Sequence, residues 1–140
     1  MPFINVDKPK RKSIIEDIVD ADNFLGLKND RGRLIELGIA LGFDQPTEIK
    51  HKDSLYREEY VKNNYELQAL MLCSSVYKMP KDGDINYYLS EEVLYSNADK
   101  CLNKGLDVIE SVSNELPAEN ASFKLLEELD DLYKYNVLDE

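Results

Sequence analysis

The stretch from Ser90 to Leu116 constrains the fold of this chain more than any other. Leu94, Ala98, Cys101, Leu102, Gly105, Leu106, Ile109, Val112 and Leu116 recur at steps of three and four, which lays them along one stripe of a helix. Ser90 is placed to accept a backbone N–H at its start, Glu91 and Glu92 suit the positive end of the helix dipole, and Pro117 closes it. At about 1.5 Å per residue the rod is roughly 35–40 Å long, enough for the axle of a small domain.

Shorter apolar segments are arranged around it. Ser13-Ile14-Ile15-Glu16 has the form of a capping box and predicts a helix from Ser13 to about Ala21, with Ile14, Ile15, Ile18 and Val19 on one face. Asn29-Asp30 offers an N-cap for a second helix over about 31–41, with Gly42 as its left-handed stop. Its apolar residues cover more than half the circumference, so it is expected to be largely buried, and Gly38 is expected to give close backbone contact with the long helix. From Phe43 to Asn64 the periodicity weakens into a loop with one extended or helical turn near Leu55–Val61. Tyr65 to Tyr77 predicts a third helix with a broad apolar face carrying Leu67, Leu70, Met71, Cys73 and Val76. A turn over 79–84 leads through Ile85, Tyr87, Tyr88 and Leu89 into the long helix. After Pro117, Asn120 or Ser122 is expected to cap a last helix to about Tyr135, with Phe123, Leu126, Leu129 and Tyr133 inward. The expectation is an all-α, compact bundle of about five helices around one long central helix (about 90–116). It forms a single domain over 1–140 with a short basic N-terminal arm (1–12).

A chain of 140 residues, 43% hydrophobic and 32% charged, suits one core and has too little continuous hydrophobicity for a membrane span. Its start lacks the pattern of a secretory signal, which predicts a cytoplasmic protein. Cys73 and Cys101 fall on predicted apolar helix faces, where cysteine acts as a small hydrophobe and no structural disulfide is expected.

No constellation for turnover can be assembled. Glu48-Ile49-Lys50 matches half of a metal-dependent nuclease site, but Asp30 lies beyond a predicted buried helix and Asp44 only four residues away. His51 is the single histidine and lies in a polar loop; zinc finds no ligand set. Asp82, Asp84 and Asn86 imitate a calcium loop, but Tyr87 replaces its glycine and Val93 its bidentate glutamate. The six glycines are too scattered to cradle a phosphate. The chain is read as having no enzymatic activity, no cofactor and no metal.

Charge and aromatic residues carry the remaining signal. The net charge of −11 is uneven: residues 1–60 hold ten Lys/Arg against twelve Asp/Glu, and residues 61–140 hold seven against sixteen. The acidic rear half disfavours a phosphate backbone and favours a basic protein partner. The basic run at Lys8, Lys10, Arg11 and Lys12 opposes the dipole of the helix it precedes, at roughly 0.3–1 kcal/mol per group. Either it is a solubilising tail or it meets a phosphate or acidic partner, in which case Arg31 and Arg33 are candidates with it. Among nine tyrosines, Tyr56, Tyr60, Tyr87, Tyr88, Tyr95 and Tyr135 exceed what a core needs and are candidates for a protein interface.

Several stretches taken together resemble a family. These are the opening basic Pro-Lys run and its helix, Asp30-Arg31-Gly32-Arg33-Leu34 leading to Ala40-Leu41-Gly42-Phe43, Leu67 to Leu72, Glu92 to Tyr95 with Ser96-Asn97-Ala98, and Gly105-Leu106. The family is that of the DNA phosphorothioation-associated proteins, small bacterial proteins encoded beside phosphorothioation-dependent restriction genes. The resemblance implies a non-catalytic accessory or adaptor component of an antiphage defence system. Such a component would bind larger ATPase, helicase or nuclease subunits, with a DNA contact through the basic front. The composition leaves a second expectation open, an acidic DNA-mimic inhibitor of a DNA-binding enzyme.

Overall fold

The computed structural model describes residues 2–115 and 118–133. Strand β1 (Phe3–Asp7) runs into α1 (Lys8–Lys10), which continues as a π-helical segment (Arg11–Asp20) and is followed by a 3-10 turn (Phe24–Gly26). Then come α2 (Arg31–Gly42), β2 (Lys52–Arg57), α3 (Glu58–Lys62), α4 (Tyr65–Tyr77), α5 (Ile85–Tyr88), α6 (Glu91–Glu115) and α7 (Ala118–Tyr133). The helices gather on α6, as the periodicity predicts. Of its stripe, Ala98, Cys101, Leu102, Gly105, Leu106, Ile109 and Val112 are buried, each large side chain contributing about 1.5–3 kcal/mol. Ser90 does not cap α6 with its hydroxyl, which donates instead to the Tyr87 carbonyl at 2.7 Å.

Glycine sets the contact between α2 and α6. A Cβ on Gly105 would lie 2.6 Å from the Gly38 Cα, and one on Gly42 would strike the Cys101 carbonyl oxygen and come within 2.7 Å of the Gly105 nitrogen. The two backbones therefore touch, as expected of Gly38. Gly42 is not the left-handed stop: it is the last residue of α2, and Phe43 continues with right-handed angles (φ −63°, ψ −28°). The reason for glycine there is the neighbouring backbone. The start of α2 is as expected, with the Asp30 carboxylate accepting from Arg33 N at 3.1 Å.

A polar row lies beside the apolar stripe of α6. Asp99, Asn103 and Asp107 stand at i, i+4 and i+8, on one helix face. Asp99 accepts from Asn5 N (2.7 Å) and Asn5 Nδ2 (3.0 Å), holding β1. Asn103 Nδ2 donates to Thr47 Oγ1 (2.9 Å) and to the Glu48 carbonyl (3.0 Å), holding the chain ahead of β2. Asp107 accepts from Lys10 Nζ at 2.9 Å, holding α1.

This row fastens the short basic arm expected over 1–12 to the fold. Residues 3–7 form a strand whose Ile4 and Val6 are fully buried. It pairs antiparallel with β2, Phe3 opposite Arg57 and Asp7 opposite Lys52, with an irregularity between Ile4 and Asn5. Half of the stretch 43–64 is regular: β2 and α3 fall where one extended or helical turn is expected near Leu55–Val61, and they extend it to 52–62. The helix expected at Ser13 is already running there, and Ser13 lies inside the π segment, so the capping box is not formed. The Ala21 N–H reaches back to the Glu16 carbonyl, five residues earlier. That wider turn sets Ile14 beneath Val19, and Ile14, Ile15 and Val19 are buried with Ile18 half-buried, as the pattern requires.

α4 has the expected span, capped by Asn64, which accepts from Leu67 N at 3.0 Å. Its buried face differs: Ser74 and Ser75 are buried, whereas Cys73 and Val76 are exposed. Ser75 Oγ donates to the Tyr88 carbonyl (2.5 Å) and accepts from Asn97 Nδ2 (3.0 Å), tying α4 to α5 and α6. In α7 Leu125 is buried and Leu129 packs half-buried against the core as expected, while Phe123 and Leu126 are 73% and 62% exposed. The helix begins at Ala118, so Asn120 lies within it and does not cap it. The Leu116, Pro117 and Tyr135 positions lie outside the described residues.

Gly105→Ala and Gly42→Ala are each expected to lower stability by about 1–3 kcal/mol in denaturant unfolding, although alanine favours helix by about 1 kcal/mol. An unchanged midpoint would refute the backbone contact. Asp99 gives a second test, because burial pushes its carboxyl up to about 6 against the opposing pull of the two Asn5 hydrogen bonds. The folded state thus holds this proton more tightly than the unfolded chain. The contribution is present at low pH and is lost as pH rises through about 6. Relative to Asp99→Asn, the wild type is expected to gain on the order of 1–2 kcal/mol between about pH 7 and pH 5, read from paired unfolding curves.

Candidate protein interface

The six basic candidates are largely engaged within the chain. Lys10 pairs with Asp107 at 2.9 Å, Arg11 with Asp53 at 3.2 Å, Lys12 with Asp17 at 3.2 Å and Arg33 with Asp30 at 3.7 Å. Arg31 makes a two-pronged contact with Asp20 at 2.9 and 2.8 Å, which joins the π segment to α2. The Arg31 guanidinium holds the Asp20 carboxyl below its ordinary value. Lys8 is exposed, and its backbone N–H donates to the His51 carbonyl at 2.8 Å. Of the cations placed against the first helix dipole, Lys10, Arg11 and Lys12 thus meet carboxylates on α6, β2 and their own helix.

The acidic motifs have local roles too. Glu48 pairs with Lys100 at 3.2 Å, and Asp84 caps α5 by accepting from Asn86 N at 3.0 Å. Among the described residues no three His, Cys, Asp or Glu side chains converge as a metal site, and no helix is long and apolar enough to cross a membrane. Cys73 and Cys101 are free thiols. Cys101 is buried, and burial pushes its thiol up to about 11.

The tyrosines divide into groups. Tyr56, at the end of β2, and Tyr60, on α3, hold their rings 5.5 Å apart. Tyr65 opens α4 beside them, and the three share a surface cavity of about 490 Å³ with Asn63, Asn64 and Glu66. Tyr60 is 51% and Tyr65 81% exposed. Tyr87 and Tyr88 meet edge to face at 5.2 Å on α5. Tyr95 is half-buried in a separate 290 Å³ groove with Glu58, Leu72, Leu89 and Glu91. Burial and those two carboxylates raise its phenol to about 12, so it keeps its proton.

Sequence reasoning passed over Tyr65 and Glu66, which periodicity presents only as the start of a helix. It also passed over Glu36, whose carboxyl is raised above its ordinary value by burial and by the neighbouring Glu66. Asp99 and Asn103 were legible in principle, since both flank the apolar stripe at helical spacing. An apolar groove of about 300 Å³ lies between α2, α4 and α7, walled by Phe43, Leu70, Tyr77 and Leu129. Tyrosine rings thus line all three of these grooves, and apolar side chains two of them. The chain matches no protein-family model, no curated protein and no solved structure.

If the basic residues serve the fold, their removal is felt in stability. Lys10→Ala and Arg31→Ala are each expected to cost about 1 kcal/mol in denaturant unfolding, and Lys8→Ala less than about 0.5 kcal/mol. Equal effects at all three positions would contradict this division.

Proposed function

We propose that the chain is a non-catalytic accessory or adaptor component of a bacterial antiphage system linked to DNA phosphorothioation, acting by binding larger ATPase, helicase or nuclease subunits. The observation that carries the binding role is the aromatic surface made by exposed Tyr60 and Tyr65 beside half-buried Tyr56. Large rings held on rigid elements give contact area at little entropic cost and are enriched at interfaces. The link to DNA defence rests on the resemblance of the Asp30–Phe43 and Glu92–Leu106 stretches. Pairing of the basic side chains turns the proposal toward protein contact, with exposed Lys8 and the solvent-facing pairs of Lys12 and Arg33 left for any DNA approach.

The same pairing favours a second reading, a DNA-mimic inhibitor, because the surplus charge is carboxylate. Glu127, Asp130 and Asp131 are exposed on α7, and Glu91 and Glu92 at the start of α6. The readings differ in how binding responds to salt and substitution. A tagged chain expressed in its own host is expected to co-purify with defence-complex subunits at low and at high salt, and to lose them on Tyr60→Ala. Capture of a DNA-binding enzyme that disappears at high salt and survives Tyr60→Ala would replace the adaptor with the mimic.

A further inference from the structure

We infer that the groove between Tyr56, Tyr60 and Tyr65 is a site for an arginine side chain of a protein partner. This rests on the adaptor reading and gives its interface a specific chemistry. The groove is built by three consecutive elements: the end of β2, α3, and the first turn of α4, where Asn64 fixes the helix start. The walls are tyrosine rings, whose faces carry negative charge density and attract a planar cation. Among the described residues, Glu66 is the one formally charged group on the lining.

The neighbouring cations are turned to other partners. Arg57 pairs with Glu59 at 3.5 Å, Lys62 with Glu58 at 3.0 Å and Arg33 with Asp30 at 3.7 Å. Glu36, on α2, has its carboxyl raised above the ordinary value by burial and by the nearby Glu66. A carboxylate beside tyrosine rings, with no cation on the described lining, is complementary to a positive group from outside. Asn63 spends its amide nitrogen on the Glu59 carbonyl at 2.9 Å, which leaves its oxygen as a second acceptor on the lining.

A guanidinium fits this set better than an ammonium. Its plane stacks on a ring while its edge donates two parallel hydrogen bonds to a carboxylate. A lysine offers a compact point charge that cannot do both. Nucleobases also stack on tyrosine, but the Glu66 carboxylate on the lining repels the phosphates that would accompany them.

The test is a titration of the isotope-labelled full chain with the blocked peptide acetyl-Gly-Arg-Gly-amide, followed by amide and tyrosine-ring resonances. Shifts are expected at residues 56, 60 and 63–66, with weaker binding by the Lys and citrulline peptides. Tyr65→Ala, at a largely exposed position, and Glu66→Gln are each expected to weaken the arginine peptide by roughly threefold to tenfold. Shifts elsewhere, equal binding of the citrulline peptide, or preferential binding of a short single-stranded oligonucleotide would overturn the site. Partner capture that survives Glu66→Gln, together with no peptide binding, would remove the arginine site and leave the adaptor standing. Peptide binding at the groove without any captured subunit would do the reverse.

Discussion

The structure depends on two helices meeting backbone to backbone. Where Gly38 and Gly42 of α2 face Gly105 of α6, no side chain separates the chains, and α2 sinks deeper than a leucine-lined contact would allow. That depth brings Leu34, Ile35 and Ile39 into full burial and puts α4 within reach of both helices. Interiors are close-packed, so a single methyl group at this crossing would lift α2 and every element resting on it.

A second organising device is the Asp99, Asn103 and Asp107 row. Each residue takes hold of a different part of the chain's first half, so α6 reads the positions of β1, α1 and the chain ahead of β2 through hydrogen bonds rather than shape. The cost is a buried carboxylate whose proton affinity rises. The return is register: β1 is held at Asn5 from the side opposite its strand partner. The basic residues of the amino-terminal region belong to the same economy of contacts, since Lys10 and Arg11 tie helix to helix and helix to strand. With those charges engaged, the surface shows aromatic rings and carboxylates, the chemistry on which the adaptor and arginine-site proposals stand.

How far the chain could be read in advance follows from which forces are local. The stripe of α6, the span of α4, the cap at Asp30 and the close approach of Gly38 were legible because each is written in periodicity or in a single residue's chemistry. The strands were not. Five residues of β1 and six of β2 give little alternation, and their pairing spans about fifty residues of sequence, a long-range contact with no local signature. Gly42 was misread because a stop and a close approach both ask for glycine. In α7 the apolar residues Phe123, Leu125, Leu126 and Leu129 support two faces, and contact with the rest of the molecule selects the one containing Leu125. The tyrosine groove was half visible: Tyr56 and Tyr60 stood out by type, while Tyr65 and Glu66 join them only through the turn between α3 and α4.

The π-helical run between Arg11 and Asp20 bears on how such a chain can change its length. A segment with five-residue steps holds more residues per turn than an α-helix covering the same faces. Loss of one residue there would tighten the winding toward an ordinary helix and change which side chains pack beside Ile14 and Ile15. The exposed turn at 79–84 makes few demands on spacing and would accept an insertion or deletion with little effect. Gaps among homologous chains would therefore collect at that turn, and the amino-terminal helix would hold a constant count even where its residues drift.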